Sequence, residues 1–222
     1  MAERQLVPKD IFYFIPNLIG YGRVVSAIVS FSLMDHHPIY FTTLYSISCL
    51  LDACDGYAAR KYHQSSKFGA VLDMVTDRCT TTSLLCYLCK LYPGFTIVFQ
   101  LLVSLDLASH YMHMYATLQS GGDSHKNVDK NSSWLLNLYY TNKNVLFTAC
   151  LFNELFFLAL YLINFDSFPQ IFGINFGVVL AWITLPLWAF KQFTNVVQLN
   201  RAAVLLAKID CDVANKKVQK DE

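Results

Sequence analysis

The sequence predicts an all-α integral membrane protein: a bundle of six transmembrane helices with both termini cytosolic. Three observations predict it. The 222-residue chain is 55% hydrophobic and only 15% charged, with 17 Phe and 13 Tyr, an apolar excess typical of membrane proteins. The apolar residues gather into six runs, each near the ~20 residues a helix needs to cross a bilayer. Lys and Arg residues outside those runs fall almost wholly on one side, as cytosolic loops of membrane proteins do.

The first span is predicted over 10–33. Pro16 and Asn17 interrupt it, with Gly20, Gly22 and Arg23 close behind. A proline inside a membrane helix kinks it and frees a carbonyl. The second span, 38–59, opens on Pro38, a favoured first-turn residue. The third runs over 68–91. Both carry acids near their facing ends, so hydropathy alone scores them low. The fourth, fifth and sixth are predicted over 94–118, 144–164 and 170–193.

A cytosolic N-terminus puts Arg4, Lys9, Arg60, Lys61, Lys67, Lys126, Lys130, Lys143, Lys191 and the tail cations on the cytosolic side, and Lys90 alone opposite. Residues 119–143 are the longest polar stretch inside the chain, and loops often carry function. From 194 onward apolar and polar residues alternate, as in an amphipathic helix lying on the membrane face. The expected organisation is a six-span domain over 1–193 and a cytosolic tail over 194–222.

Several functions are excluded. A net charge of +1 gives no footing for nucleic acid. The seven cysteines are odd in number; Cys86 and Cys89 form a lone C-x2-C without the second pair of a zinc site, and the cysteines read as buried small hydrophobes. The polar start followed by a long apolar run does not read as a cleavable signal peptide.

The chemistry lies in residues 50–79, where Asp52, Asp55, Asp73 and Asp77 sit among Leu50, Leu51, Ala58, Phe68, Val71, Leu72 and Val75. The first two acids are spaced i, i+3 and the last two i, i+4, so each pair shares a helix face. Two helices joined by the polar turn 61–67 would aim all four at one point. Four buried carboxylates need a compensating charge. One or two divalent cations supply it, and all-oxygen donors suit Mg2+ or Mn2+.

Asp52, Asp55, Gly56, Ala59, Arg60, Gly69, Asp73 and Asp77 fit D-x2-D-G-x2-A-R-x8-G-x3-D-x3-D without a gap. This resembles the signature of the CDP-alcohol phosphotransferases, integral membrane enzymes of phospholipid synthesis. The resemblance implies that Asp52, Asp55, Asp73 and Asp77 ligate two metal ions, and that Asp77 is also the general base. It places Gly56 and Ala59 in a cytidine pocket, where small side chains give clearance. Arg60 offers a planar fork to phosphate oxygens. Ser66 either caps the third helix or meets a phosphate at its N-terminus, and Gly69 permits close approach there. Family members carry a similar Pro-Asn…Arg element, which sets Asn17 and Arg23 against the phosphate site; a packing kink is the alternative.

Beyond the motif, FIPNLIGYGRV, FGAVLDMVTDRC, LDLASHYMHMY, the tripeptide at 124–126 and LYYTNK at 138–143 are similar to the eukaryotic phosphatidylinositol synthases within that family. On this resemblance the substrates are CDP-diacylglycerol and myo-inositol, the membrane is that of the endoplasmic reticulum with the site facing the cytosol, and a homodimer is allowed. Inositol carries six hydroxyls and calls for several donors and acceptors. Ser124, His125, Lys126, Tyr140, Asn142 and Lys143 supply those types. His110 and His113 read as hydrogen-bonded packing residues beside Asp106. Glycerol 3-phosphate or serine is the alternative acceptor, and a divalent cation transporter is the alternative class.

Overall fold

The computed structural model describes residues 6–120, 143–171 and 173–221. Contacts divide the chain into two compact units, Met1–Leu91 with Tyr161–Gly177, and Tyr92–Leu160 with Val178–Glu222. The described residues are almost all helical.

The first unit contains α1 (Pro8–Phe12), α2 (Ile15–Ser32), α3 (Pro38–Lys61) and α4 (Lys67–Leu91). Pro16 falls in the first turn of α2, where its missing N–H is no loss. The expected kinked span over 10–33 is therefore two helices, parted before Ile15. The expectations for α3 and α4 hold to within two residues, because Pro38 opens one and Ser66 precedes the other. Gly20 lets α2 approach α4: a Cβ there would stand 3.0 Å from Leu72 Cδ2. Ser48 Oγ donates to the Arg23 carbonyl at 3.0 Å, tying α3 to α2.

At the opposite end of these helices Phe41, Tyr45 and Tyr161 are fully buried. The Phe41 and Tyr161 rings lie 4.4 Å apart, and the Tyr161 hydroxyl donates to the Met34 carbonyl at 2.8 Å. In the α2–α3 loop, Asp35 accepts from the Tyr87 hydroxyl at 2.8 Å and from Lys90. The ammonium and the phenol hold the Asp35 carboxyl below its ordinary pKa.

Polarity is inverted in this unit relative to a water-soluble protein. Val25 and Ile28 are each 61% exposed, whereas Asn17, Arg23, Ser30, Ser48, Asp55 and Thr80 are buried. An apolar exterior over a polar interior suits lipid as the solvent.

The second unit holds α5 (Thr96–Gln119), which follows a short 3-10 turn at Pro93–Phe95, most of α6 (Lys143–Leu162), and α7 (Phe176–Asp221) beyond its first two residues. Phe156 stacks on Trp188 at 4.5 Å. Gln192 donates to Asn153 at 2.8 Å, and Lys191 Nζ to Asn195 at 2.7 Å, all polar groups inside the helix packing. Three helices among the described residues are long and apolar enough to cross a membrane: Pro93–Gln119, Val145–Leu162 and Phe176–Lys217.

Three details differ from expectation. The sixth span does not begin at 170. Gln170–Ile171 pairs antiparallel with Ile174–Asn175 in a small hairpin whose turn contains Gly173 at φ +78°. α7 starts only at Phe176, capped by Asn175 Oδ1 accepting from Gly177 N at 2.7 Å. Apolar content conceals such a hairpin; Pro169, Gly173 and Asn175 are its marks. α7 also runs unbroken past 193, to Asp221, 46 residues in all. Finally, none of the seven cysteines is fully buried within the chain, and Cys54, Cys79, Cys86 and Cys211 are exposed on helix surfaces.

Candidate active site

Three helices of the first unit build the site. α2 contributes Asn17, Gly20 and Arg23, spaced three apart on one buried face. α3 contributes Asp52, Asp55, Gly56, Ala59 and Arg60, and α4 contributes Gly69, Asp73 and Asp77. The four acids converge as their spacing predicts, and they converge on Arg23. Its Nη1 lies 2.7 Å from Asp52 Oδ1, 2.8 Å from Asp55 Oδ2 and 2.5 Å from Asp73 Oδ1, while Nη2 pairs with Asp77 Oδ1. Arg78 approaches the other Asp77 oxygen at 3.6 Å. The Arg23 side chain is only 3% exposed, whereas Asp73 keeps 46% of its surface. The cluster is thus closed toward α2 and open on its far side.

The donor set fits hard divalent cations. Carboxylate oxygens of Asp52, Asp55 and Asp73 lie within 4.8 Å of one another, with no Cys or His among them. Arg23 sits among all four acids and Arg78 approaches Asp77, so two guanidinium groups face four carboxylates and negative charge remains in excess. Mg2+ or Mn2+, which favour carboxylate oxygen, match that donor chemistry.

A cleft runs from the acids to the α3–α4 turn. Asp55 and Asp73 border it at one end, and Gln64, Ser65 and Ser66 at the other; Pro16, Asn17, Gly20, Gly56, Ala59, Gly69, Ala70 and Leu72 make its walls. Ser66 Oγ accepts from Gly69 N at 3.0 Å, so Ser66 caps α4 and also lines the cleft. Gly69 is required by crowding: a Cβ there would stand 2.6 Å from Asn17 Oδ1 and 3.1 Å from Ser66 Oγ. Asn17 is held by its Nδ2, which donates to the Ile11 carbonyl at 2.6 Å. At Gly56, a Cβ would meet Arg60 Nη1 at 3.5 Å, so the Arg60 fork lies over that glycine. Arg60 is exposed in the last turn of α3.

The predicted residues Asn17, Asp55, Gly56, Ala59, Ser66, Gly69 and Asp73 therefore line one cleft. Asp52 and Asp77 join the acid cluster beside it. Arg23 is placed against the acids rather than in the cleft wall. Ser124, His125, Lys126, Tyr140 and Asn142 lie outside the described residues, as does the Lys143 side chain. His110 is in the second unit, its Nδ1 2.8 Å from the Asp106 carbonyl oxygen, as a packing residue would be.

Sequence reasoning singled out Arg23 but as a phosphate contact, whereas the structure sets it among all four acids. It missed one residue. Gln64 reaches from the α3–α4 turn to α2, its Oε1 accepting from Ile15 N at 2.9 Å, and no local pattern marks it.

Residues 13–207 match the family model of the CDP-alcohol phosphatidyltransferases, and the chain belongs to that family. Full-length relatives narrow the comparison. The chain is 53% identical to the CDP-diacylglycerol–inositol 3-phosphatidyltransferase of Candida albicans over 97% of its own length and 91% of the relative's. It is 52% identical to the protein of that name in Saccharomyces cerevisiae, covering 97% and 96%. For the Homo sapiens protein the identity is 44%, covering 94% and 99%.

Proposed function

We propose that the protein transfers the phosphatidyl group of CDP-diacylglycerol to myo-inositol, giving phosphatidylinositol and CMP. The observation that carries this reading is near-full-length identity of 44–53% to relatives bearing that one activity in their names. The four convergent acids supply the matching chemistry. That shared name favours inositol over glycerol 3-phosphate or serine.

An inositol hydroxyl attacks the phosphorus that bears the diacylglycerol. The new O–P bond forms as the bond to the CMP phosphate oxygen breaks, and the hydroxyl proton goes to Asp77. Asp52, Asp55, Asp73 and Asp77 would hold one or two Mg2+ or Mn2+ ions, which when bound neutralise charge on the diphosphate. Arg23 keeps the four carboxylates gathered toward one point. Gly56, Ala59 and Gly69 keep the cleft wall low enough for the nucleotide to lie along it. Ser66 fixes the start of α4, and the Arg60 fork reaches the phosphate oxygens.

The membrane reading extends the same way. α2, α3 and α4 join the three apolar helices as six spans, with both termini and the α3–α4 turn cytosolic. Charges of α3 and α4 turn inward onto Arg23, which is how helices of middling hydropathy reside in lipid. The endoplasmic reticulum membrane is the proposed location. The polar residues of 119–143, Ser124, Lys126, Asn142 and Lys143 among them, are proposed to contribute to inositol selection.

The test is incorporation of labelled myo-inositol by the purified protein, given CDP-diacylglycerol and Mn2+ or Mg2+, with a chelator control. Labelled lipid with equimolar CMP is expected. CMP release with glycerol 3-phosphate or serine, and none with inositol, would overturn the acceptor while keeping the reaction.

A further inference from the structure

The turn end of the cleft contains one amide whose orientation is fixed from outside it. α2 has no cap from its own N-cap residue, Phe14. Gln64 supplies one, 49 residues away: Ile15 N lies 2.9 Å from Gln64 Oε1. A backbone N–H only donates, so the atom facing it must be the amide oxygen, and the NH2 is the other arm. That arm has no hydrogen-bond partner among the described residues, and Gln64 lines the cleft. Two neighbouring groups have structural partners: Ser66 Oγ accepts from Gly69 N, and Asn17 Nδ2 donates to the Ile11 carbonyl. Around them Pro16, Ala59 and Ala70 present low, apolar walls suited to a flat ring.

The cleft also has a direction. Asp55 and Asp73 mark the end where a diphosphate would be held, and Gln64 lies beyond the last turn of α3 at the other. A nucleotide with its phosphates at the acids extends its base toward that turn.

We propose that Gln64 reads the cytosine, its Nε2 donating to the pyrimidine N3 while its Oε1 stays committed to Ile15. This rests on the reading of the protein as a CDP-diacylglycerol enzyme and adds the residue that selects the base. In cytosine N3 is an acceptor. In uracil it carries a hydrogen, so the same amide arm would face donor to donor. A site that sets donor against donor repels the wrong base instead of merely lacking a contact to it. The backbone bond to Ile15 prevents the amide from flipping to accept from uracil instead.

Binding of CMP, UMP and 3-deaza-CMP to the full chain in detergent, with Mg2+ present, tests this. The unaltered protein should prefer CMP to UMP by about tenfold or more, and should lose about tenfold for 3-deaza-CMP, in which N3 is a C–H. Gln64→Glu keeps an oxygen for Ile15 but replaces the donor with an acceptor, so the CMP-to-UMP ratio should fall to about one or reverse. That ratio is insensitive to the added charge, because both nucleotides carry the same phosphate. If Gln64→Glu weakens both nucleotides equally, Gln64 is only a cap and the proposal is wrong. If 3-deaza-CMP binds as CMP does, the contact to N3 is refuted without any variant. A chain that binds neither CMP nor CDP-diacylglycerol would bring down the enzymatic reading first, and this one with it.

Discussion

Gly69→Ala adds one methyl group at the most crowded point of the site. The new Cβ would stand 2.6 Å from Asn17 Oδ1, against about 3.4 Å for an ordinary contact, so the oxygen must retreat by roughly 0.8 Å. Asn17 has little room: it is 1% exposed, and its amide nitrogen is bound to the Ile11 carbonyl at 2.6 Å. Overpacking of this kind costs ~2 kcal/mol. Breaking the Asn17–Ile11 bond adds ~1.5 kcal/mol. The better helix propensity of alanine returns at most ~1 kcal/mol. The net loss is ~2.5 kcal/mol, equivalent to a fall in Tm of ~5–10 °C for a chain of this size. Thermal unfolding in detergent measures it. The same substitution in an Asn17→Ala background should cost little, because the opposing oxygen is gone, and the pair forms a double-mutant cycle. An unchanged Tm for Gly69→Ala alone, or an equal fall in both backgrounds, would refute the argument from crowding.

Other outcomes follow from the same geometry. Asp77→Asn should abolish transfer while metal-dependent nucleotide binding survives in part; transfer at the original rate would remove Asp77 as the base. Arg23→Met leaves four acids without the cation they share and should destabilise the fold by about 3–5 kcal/mol, recovered in part by Mg2+ in a thermal-shift assay. A variant as stable as the parent in chelator would show that Arg23 does not hold the cluster together. Asp35 is held below its ordinary pKa by Lys90 and Tyr87. Its contribution to stability is therefore complete above the unfolded-state pKa of about 3.9 and is lost only as pH falls through the lower folded value. Asp35→Asn should flatten that acid limb and leave unfolding near neutral pH insensitive to pH.

The acid site was legible because its information is local. Spacings of three and four residues put Asp52 with Asp55 and Asp73 with Asp77, and the polar turn between them allows only a short hairpin of helices. Pro38 and Ser66 marked the helix starts for the same reason. The first and sixth spans misled because apolar content does not distinguish a continuous helix from a proline-divided pair or a small hairpin. Pro16 and Gly173 carried that information, and hydropathy outweighed them. Gln64, and the acid partners of Arg23, were hardest to assign, since the groups they meet lie tens of residues away in the chain. The Ile15–Gln64 bond joins residues 49 apart, a separation at which no periodicity operates.

The place of Arg23 in the chain bears on how such a protein enters a membrane. α2 precedes α3 and α4 in the sequence, so it leaves the ribosome first. On the proposed six-span reading, an isolated hairpin of α3 and α4 would carry four aspartates to the membrane with only Arg78 beside Asp77, a costly state in a low-dielectric medium. With α2 already waiting at the translocon, the guanidinium is there to receive them as they arrive. The arginine is then an assembly factor carried in the chain itself, and reversing the order of the first helices would strand the acids before their counter-ion exists.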